Sequence, residues 1–413
     1  MENSKEKVLA LLQDEKIRHL YANTFYSLFD RIDEHGYIEE SFVPDRYPGN
    51  FTRTSGAFSL LMADCGEIQI AERAVRFVLD AMQRFHVFYS PHVLGKLTCR
   101  PNGQWEQHYE TVNQIDGTAH VLLAYSNLVL KYQNTGLLDD YWNWISDIMD
   151  INLTQPNFCG DDYSKFSSTT LHLFFNPMLE HSREGRYWSC YDILTQSFMG
   201  AALEKFITIA RSRKEDDKVK RWQKRLDWLK QGVRDNLTVE IYGKTCYAEM
   251  RIPDGNRGRI FDGIGWLNLS PLAAEWNPCS WEVTENTVRA VRNCLWLEDP
   301  MGDNLHYLDI ETQPDRLPHR TTIGKALGWD MEASLLMEDY DHIYEQLLFL
   351  KNRHESDIYG EGMAFQNGKW TTWDNGNGEQ CVWWCRSIGR VRRALGLPYM
   401  PFRQDVTCIQ SFR

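Results

Sequence analysis

Residues 8–36, VLALLQDEKIRHLYANTFYSLFDRIDEHG, decide the fold class. The large apolar side chains of this stretch, among them Ile17, Tyr21 and Phe25, return at steps of three or four residues. That spacing places them on one face of an α-helix, whereas a half-buried strand would alternate apolar and polar residues. The stretch therefore predicts one amphipathic helix that ends near Gly36, since glycine commonly follows a last helical turn.

The same spacing recurs over most of the chain. Ten further helices are predicted over residues 55–66, 71–82, 118–132, 139–149, 191–210, 218–233, 281–295, 329–338, 340–352 and 379–395. No linker or low-complexity tract interrupts the series. Eleven helices are close to six antiparallel pairs, so we predict an all-α single domain, residues 1–413. We expect it to fold as an (α/α)6 barrel, a toroid of six helical hairpins, with no β-sandwich before it.

The composition excludes several classes of function. Asp and Glu outnumber Lys and Arg by 57 to 45, and a net charge of −12 disfavours nucleic acid, whose binding requires clustered cations. No apolar run approaches the roughly 18 residues of a membrane helix, and the charged residues 1–16 do not form an export signal. The ten cysteines contain no CxxC pair, which favours reduced thiols. We therefore expect a soluble, cytoplasmic protein without nucleic-acid or membrane partners.

Motifs for metal, nucleotide or serine-nucleophile chemistry are missing from the sequence. The twelve histidines form no HExxH pattern, and neither a GxSxG elbow nor a Walker loop occurs. The glycine-rich residues 374–378 follow no predicted strand, so they do not indicate a nucleotide site. The sequence predicts no metal site and no cofactor.

Tryptophan is frequent, with 15 residues. Such flat, amphipathic rings pack protein cores, and they also line carbohydrate sites. Trp222 lies on the apolar face of the helix predicted over 218–233, which indicates packing. Trp188, Trp266 and Trp373 lie outside the predicted helices and beside candidate polar residues, which favours contact with sugar rings.

Two glutamates lie beside aromatic residues in non-helical segments. Glu180 belongs to residues 176–188, NPMLEHSREGRYW, and Glu361 to residues 357–363, DIYGEGM. Cleavage of a glycosidic bond needs an acid to protonate the leaving oxygen and a carboxylate to activate water or attack carbon. The two glutamates meet both needs. Two other interpretations stay open: surface salt bridges for Glu180, and a solvated acid in a turn for Glu361.

Five more residues are candidates for sugar binding. Glu249 and Arg251 are two residues apart and would share one face of an extended segment. Asp262 and Trp266 flank a glycine, which permits close approach of the backbone. Both patterns fit a structural role equally well. Asp116 precedes a predicted helix, where it either caps the first turn or binds a sugar hydroxyl.

Several segments occur in the order seen in one known family. Residues 47–60, YPGNFTRTSGAFSL, match its aromatic-x-Arg-Asp segment, and residues 114–117, QIDG, match its Gln-x-Asp-Gly motif. Residues 179–180 with 186–189, RYWS, match its Trp-Glu pair followed by Arg and two aromatic residues. Residues 359–361 match its Tyr-x-Glu motif. The chain thus resembles the glucoamylase-like glycoside hydrolases of family 15, within the six-hairpin glycosidase superfamily.

The resemblance implies an inverting glycoside hydrolase with Glu180 as the general acid and Glu361 as the general base. We expect exo-action on small soluble oligosaccharides. Two positions depart from the family: its aspartate after the arginine is Thr54 here, and its tryptophan before the acid is Leu179. The residue patterns and the resemblance together predict that the substrate is bound by Arg53, Asp116, Arg183, Arg186, Trp188, Glu249, Arg251, Asp262, Trp266 and Trp373.

Two other functions are compatible with a barrel of this kind. One is a cytosolic sugar epimerase or isomerase, which usually needs two bases, often histidines, on either side of one carbon. Only His181 lies near the candidate acid in the sequence. The other is a barrel that binds carbohydrate without turning it over.

Overall fold

The structure is a computed structural model that describes residues 2–42, 46–47, 49–84, 93–94, 115–153, 171–181, 186–252, 259–261, 264–309 and 320–408. Within these ranges the chain forms thirteen α-helices and thirteen short β-strands. The helices are α1 (Glu2–Gln13), α2 (Glu15–Phe29), α3 (Thr52–Cys65), α4 (Ile68–Arg84), α5 (Ile115–Lys131), α6 (Thr135–Asn152), α7 (Ile193–Ser212), α8 (Asp216–Asn236), α9 (Ser270–Ala273), α10 (Trp281–Leu295), α11 (Gly324–Leu336), α12 (Tyr340–Arg353) and α13 (Gly378–Ala394). The strands are β1 (Asn50–Phe51), β2 (Val93–Leu94), β3 (Asn176–His181), β4 (Arg186–Asp192), β5 (Thr238–Ile241), β6 (Lys244–Tyr247), β7 (Met250–Ile252), β8 (Arg259–Phe261), β9 (Trp296–Glu298), β10 (His306–Leu308), β11 (Arg320–Ile323), β12 (Gly360–Gln366) and β13 (Lys369–Asn375).

The first predicted helix is two helices, so that prediction was wrong in its boundary. α1 and α2 meet at Asp14, whose backbone is extended and whose carboxylate accepts a hydrogen bond from the Lys16 backbone amide at 3.1 Å. Asp14 is therefore the N-cap of α2. The apolar spacing did not reveal the break, because a single polar residue on an exposed face does not disturb the period.

The helices form two concentric layers. In the inner layer, α3 contacts α5, α5 contacts α7, α7 contacts α9, α9 contacts α11, and α11 contacts α13, which packs back against α3 and closes the ring. The short α9 is preceded by a 3-10 turn, Trp266–Leu269, that completes this part of the ring. The other long helices alternate with these along the chain and pack outside them. The predicted (α/α)6 barrel is confirmed.

Close packing of the inner helices requires glycine at two crossings. A Cβ atom on Gly56 of α3 would lie 2.7 Å from the backbone of His120 on α5. One on Gly328 of α11 would lie 2.9 Å from the carbonyl oxygen of Trp383 on α13. Both distances are shorter than carbon atoms tolerate, so any larger residue would push the ring open.

The strands form small antiparallel sheets at the edges of the helical layers. Four strands pair in the order β3-β4-β7-β8, and three pair in the order β11-β12-β13. β4 leads directly into α7 and β11 directly into α11, so both sheets adjoin the first turns of inner helices. The sheets thereby supply backbone at that end of the barrel.

The apolar faces of the helices share one connected core that extends from Val8 to Tyr399. Trp222 belongs to this core, as predicted, and the indole rings of Trp370 and Trp383 are buried in it as well. Among the residues that the structure describes, no helix has both the length and the apolar character needed to cross a membrane.

A buried ion pair joins the two helical layers. Asp330 of α11 is fully buried and accepts a hydrogen bond from Arg292 Nε of α10 at 3.0 Å. His342 Nε2 of α12 lies 2.5 Å from the same carboxylate, and Gln346 of α12 donates to it. Burial alone would raise the pKa of the Asp330 carboxyl, but His342 and Arg292 outweigh burial and lower it to about 2.

We expect Asp330→Asn to lower the free energy of unfolding by about 3 kcal/mol, because it leaves the buried donors without their charged partner. The matched control is Glu285→Gln, which removes an exposed pair with Arg289 on α10 and should cost at most about 0.5 kcal/mol. Equilibrium unfolding in urea measures both.

The cost of Asp330→Asn should also depend on pH. A carboxyl whose pKa is depressed on folding stabilises the protein above its unfolded pKa, 3.8, and this contribution is lost as the pH falls through about 2. The stability difference between Asp330→Asn and the parent should therefore shrink between pH 5 and pH 2. A difference independent of pH would contradict a charged Asp330.

Candidate functional site

Four charged side chains meet where the first turns of α3, α5, α11 and α13 come together. Arg53 Nη1 donates to Asp116 Oδ2 at 3.3 Å, and Arg53 Nη2 lies 3.5 Å from Glu379 Oε2. Lys325 Nζ donates to Glu379 Oε1 at 3.2 Å. All four residues are buried. They form a chain of alternating charge, Asp116–Arg53–Glu379–Lys325, which we call the charged floor.

The pKa shifts of the two carboxyls reflect their different numbers of cationic partners. Burial would raise the pKa of Glu379, but Arg53 and then Lys325 outweigh it and lower the pKa to about 2. Burial also raises the pKa of Asp116, and Arg53 offsets this only in part. The positive ends of α5 and α13 further favour negative charge in their first turns. Of the two carboxyls, Glu379 is therefore the more firmly ionised.

Strand β3 and helix α7 extend this polar network. Asn176 Nδ2, at the start of β3, donates to Asp116 Oδ1 and to Thr195 Oγ1, each at 3.2 Å. The Thr195 hydroxyl donates in turn to Asp192 Oδ2 at 2.9 Å, and Asp192 caps α7. Burial, followed by the charge of Asp116, raises the pKa of Asp192 to about 7.

Glu361 lies on β12, and three donors hold its carboxylate. The Tyr47 hydroxyl donates to Oε1 at 3.2 Å, Arg46 Nη2 to Oε2 at 3.3 Å, and Trp373 Nε1 to Oε2 at 3.2 Å. The side chain of Glu361 is 23% exposed. It is a fixed but accessible carboxylate on a strand, and the solvated-turn interpretation is wrong.

The glycine after Glu361 has a packing role. A Cβ atom on Gly362 would lie 2.4 Å from the Trp373 indole, so only glycine lets that ring lie across β12. The ring then reaches Glu361 from the neighbouring strand, since Gly362 and Trp373 are paired in the sheet. Trp373 is thus oriented by backbone geometry before any ligand is bound.

Glu361 and the charged floor belong to the same end of the barrel. A Cβ atom on Gly324, the neighbour of Lys325, would lie 2.8 Å from the carbonyl oxygen of Gly360, the neighbour of Glu361. The Lys325 ammonium also lies 4.2 Å from the centre of the Trp266 ring. Trp266 is buried and packs against the Trp329 ring, so its indole is held in a fixed position against the Lys325 ammonium. We call this end of the barrel the cup.

Two further predicted site residues lie at the start of β7, namely Glu249 and Arg251. Glu249 is buried, and its backbone carbonyl accepts a hydrogen bond from the first residue of α7. Arg251 Nη1 donates to Asn236 Oδ1 at 2.9 Å, at the end of α8. In the β3–β4 hairpin, Glu180 pairs with Tyr187 and His181 with Arg186. The side chains of Glu180, Arg186 and Trp188, and all of Arg183 and Asp262, lie outside the described residues, so their roles stay predictions.

No protein-family model and no curated protein sequence matches this chain. Solved structures do. A Streptococcus pneumoniae metal-independent alpha mannosidase, in complex with alpha-1,6-mannobiose, superimposes with a TM-score of 0.65 at 12% identity, over 94% of this chain and 97% of its own. A bacterial glucoamylase complexed with acarbose gives 0.60 at 14% identity, over 94% of this chain but only 58% of the glucoamylase. A D-mannose isomerase gives 0.53 at 13% identity, over 91% and 96%.

The chain has the six-hairpin (α/α)6-barrel fold that these enzymes share. This confirms the predicted resemblance at the level of the fold, which is what similarity at 11–14% identity establishes. Within this six-hairpin barrel, Thr54 stands where the glucoamylase-like motif has an aspartate, and its hydroxyl donates to the buried Glu40 carboxylate. Burial raises the pKa of Glu40 to about 8.

Histidine and metal sites are not part of the described cup. His120, one turn below Asp116, stacks on Phe198 at 3.7 Å between ring centres, and burial lowers its pKa to about 4. Across the described ranges, no three His, Cys, Asp or Glu residues are grouped closely enough to hold a metal ion. The described part of the six-hairpin cup is therefore built from carboxylates, cations and aromatic rings.

Sequence reasoning missed several residues of the cup. Lys325 and Glu379 were not singled out, nor were the three polar residues Asn176, Tyr47 and Arg46. The position of a residue within its helix was one available signal. Inner helices alternate with outer ones along the chain, so the first turns of the inner helices lie at one end of the barrel. Charged residues at the start of every second helix would have identified Lys325 and Glu379.

We expect Lys325→Met to lower the free energy of unfolding at pH 7 by about 1–3 kcal/mol, because Glu379 loses one of its two cations. The depressed pKa of Glu379 stabilises the fold above its unfolded value of 4.5, and this contribution is lost as the pH falls through about 2. The loss should therefore vanish toward pH 2 in urea unfolding experiments. Lys351→Met, which removes a partly exposed pair with Asp14, is the control and should cost less than about 1 kcal/mol. An equal loss at pH 7 and pH 3 would mean that Lys325 acts only by packing on Trp266.

Proposed function

We propose that this protein is an inverting, exo-acting glycoside hydrolase with Glu361 as the general base and Glu180 as the general acid. The observation that carries the proposal is the Glu361 carboxylate, which accepts hydrogen bonds from Arg46, Tyr47 and Trp373 and is 23% exposed, at the same end of the barrel as the charged floor. The six-hairpin glycosidase fold supports the same conclusion.

The contacts of Glu361 suit a base that activates water. A carboxylate can accept all three hydrogen bonds, from Tyr47, Arg46 and Trp373, whereas a protonated carboxyl would have to donate one of its own. Each carboxylate oxygen has two lone pairs, so a carboxylate can accept a hydrogen bond from water as well as from protein donors. As that water attacks the anomeric carbon, its proton passes to Glu361 while the glycosidic bond breaks.

Glu180 is the proposed acid because its backbone lies on β3, the strand that begins at Asn176 and so adjoins the charged floor. The acid must give its proton to the leaving oxygen on the face opposite the water. An inverting enzyme needs about 6.5–9.5 Å between the two carboxyl groups to leave room for that water.

The charged floor supports binding of one terminal sugar. Its members are buried and joined to one another, and we propose that they close this end of the cup, so that a chain enters only by its end. Carboxylates and cations held in this way offer fixed acceptors and donors to sugar hydroxyls. The proposed contacts to the substrate remain those predicted, namely Arg53, Asp116, Arg183, Arg186, Trp188, Glu249, Arg251, Asp262, Trp266 and Trp373.

A cytoplasmic location is part of the proposal. Eight cysteines lie in the described ranges, and all eight are free thiols. Free thiols are typical of a reducing compartment. We propose a small soluble oligosaccharide as substrate and no cofactor.

We expect Glu361→Gln and Glu180→Gln each to lower kcat by about 10²–10⁴, because each removes one proton transfer. Turnover of α- and β-linked disaccharides measures this loss. The control is Glu298→Gln, an exposed glutamate on β9, which should leave kcat unchanged. Circular dichroism and thermal unfolding show whether the variants keep the fold.

Dinitrophenyl glycosides separate the two roles. Their leaving group departs without protonation, so they should restore much of the turnover of Glu180→Gln and little of that of Glu361→Gln. NMR of the first-formed anomer tests inversion. Near-normal hydrolysis by either variant, or a product of retained configuration, would contradict the assignment.

The D-mannose isomerase among the similar structures supports a second candidate, an aldose–ketose isomerase. Its test uses the same protein with free mannose and glucose in D₂O, where isomerisation introduces deuterium next to the carbonyl. Isomerisation that is kept in both Glu361→Gln and Glu180→Gln would favour this candidate over hydrolysis.

A further inference from the structure

A second cavity lies at the opposite end of the barrel from the cup. Its volume is about 520 Å³, within the range of small-molecule sites. It is lined by the last turns of four inner helices, at Asp64 of α3, Lys131 of α5, Leu336 of α11 and Arg390 of α13. α3 has 14 residues, so the two ends are about 20 Å apart. We call this cavity the rear pocket.

The charges of the rear pocket are balanced and paired. Its lining contains three carboxylates and three cations, namely Asp64, Glu275, Glu332, Lys131, Arg390 and Arg393. Arg390 Nη2 lies 2.8 Å from Asp64 and Nη1 lies 3.1 Å from Glu332, and the same guanidinium contacts Glu275. The partial negative charge at the ends of these helices adds to the carboxylates. Arg386 pairs with Asp64 and Glu275 in addition, so every carboxylate of the lining is held in an ion pair.

The pocket also exposes apolar surface. The indole of Trp281 is 46% exposed and the side chain of Leu336 is 58% exposed, which is unusual for such residues. Trp276 lies behind them, buried, with its Nε1 donating to Glu204 at 3.1 Å. Beside this surface, the Glu275 carboxylate is 56% exposed while it pairs with Arg386 at 2.8 Å.

We propose that the rear pocket binds a neutral pyranose sugar. A pyranose has an apolar C–H face that fits against a flat indole, and hydroxyls along its edge that bond to carboxylates and guanidinium groups. Trp281 provides the exposed ring, and Glu275 and Arg390 provide an acceptor and donors that are already held in place by their ion pairs. The site is separate from the cup, and it does not depend on the proposed hydrolysis.

The test uses the full chain labelled with 5-fluorotryptophan and observed by ¹⁹F NMR. The resonance of Trp281 is the one missing from Trp281→Phe, and those of Trp266 and Trp373 in the cup are assigned in the same way. Glucose, mannose and galactose are titrated separately to about 50 mM, a range that detects millimolar affinity. We expect at least one sugar to shift the Trp281 resonance saturably.

Two variants make the experiment decisive. Trp281→Ala should weaken binding at the rear pocket about tenfold, measured by saturation-transfer NMR of the sugar with the cup resonances as an internal reference. Tyr242→Ala removes an aromatic residue that is exposed elsewhere and should change nothing. The proposal is overturned if the sugars shift only cup resonances, or if sodium sulfate shifts Trp281 and sugars do not. It is also overturned if the Trp281 resonance responds only to protein concentration, which would mean that a second copy of the chain covers this surface.

Discussion

The charged floor is the constraint on which the rest of the cup depends. A buried charge without a partner costs several kcal/mol, so four inner helices can bring charged first turns together only if the charges alternate. Arg53 lies between Asp116 and Glu379, and each of these three residues belongs to a different helix. The pairing therefore fixes the helices relative to one another along their axes, and it sets the depth of the cup.

The small sheets place further polar side chains at the same end of the barrel as that floor. A helix start can present one or two side chains, whereas a strand that enters an inner helix carries residues outward at about 3.3 Å each. β11 enters α11 and holds β12 beside it, which brings Gly360, the neighbour of Glu361, against Gly324, the neighbour of Lys325. Gly362 then admits the Trp373 ring to the same carboxylate. The position of Glu361 thus follows from backbone pairing, not from side-chain flexibility.

The sequence predicted the helices well because the spacing of apolar residues directly follows the buried face of each helix. Residues 281–295 and 340–352 match α10 and α12 to within one residue. The short strands were not predicted. Segments of two to seven residues between glycines and aromatic residues show too little alternation of apolar and polar side chains to be distinguished from loops. Pairings across the barrel could not be predicted for a different reason. Lys325 and Glu379 are 54 positions apart, and only closure of the ring brings them together. Glu361 was predicted from the presence of a carboxylate beside aromatic residues, although the donors that hold it could not be inferred from spacing.

The two ends of one barrel differ chemically because the inner helices all point the same way. Their amide ends meet at the cup, where they favour negative charge, and there Arg53 and Lys325 lower the pKa of the buried Glu379 carboxyl to about 2. Their carbonyl ends meet at the rear pocket, where cations such as Arg390 are needed to balance Asp64 and the helix ends together. The proposed hydrolysis uses carboxylates and develops positive charge on the sugar, which suits the cup better than the rear pocket. The shared direction of the inner helices is therefore consistent with the proposed hydrolysis at one end of the barrel and the proposed sugar binding at the other.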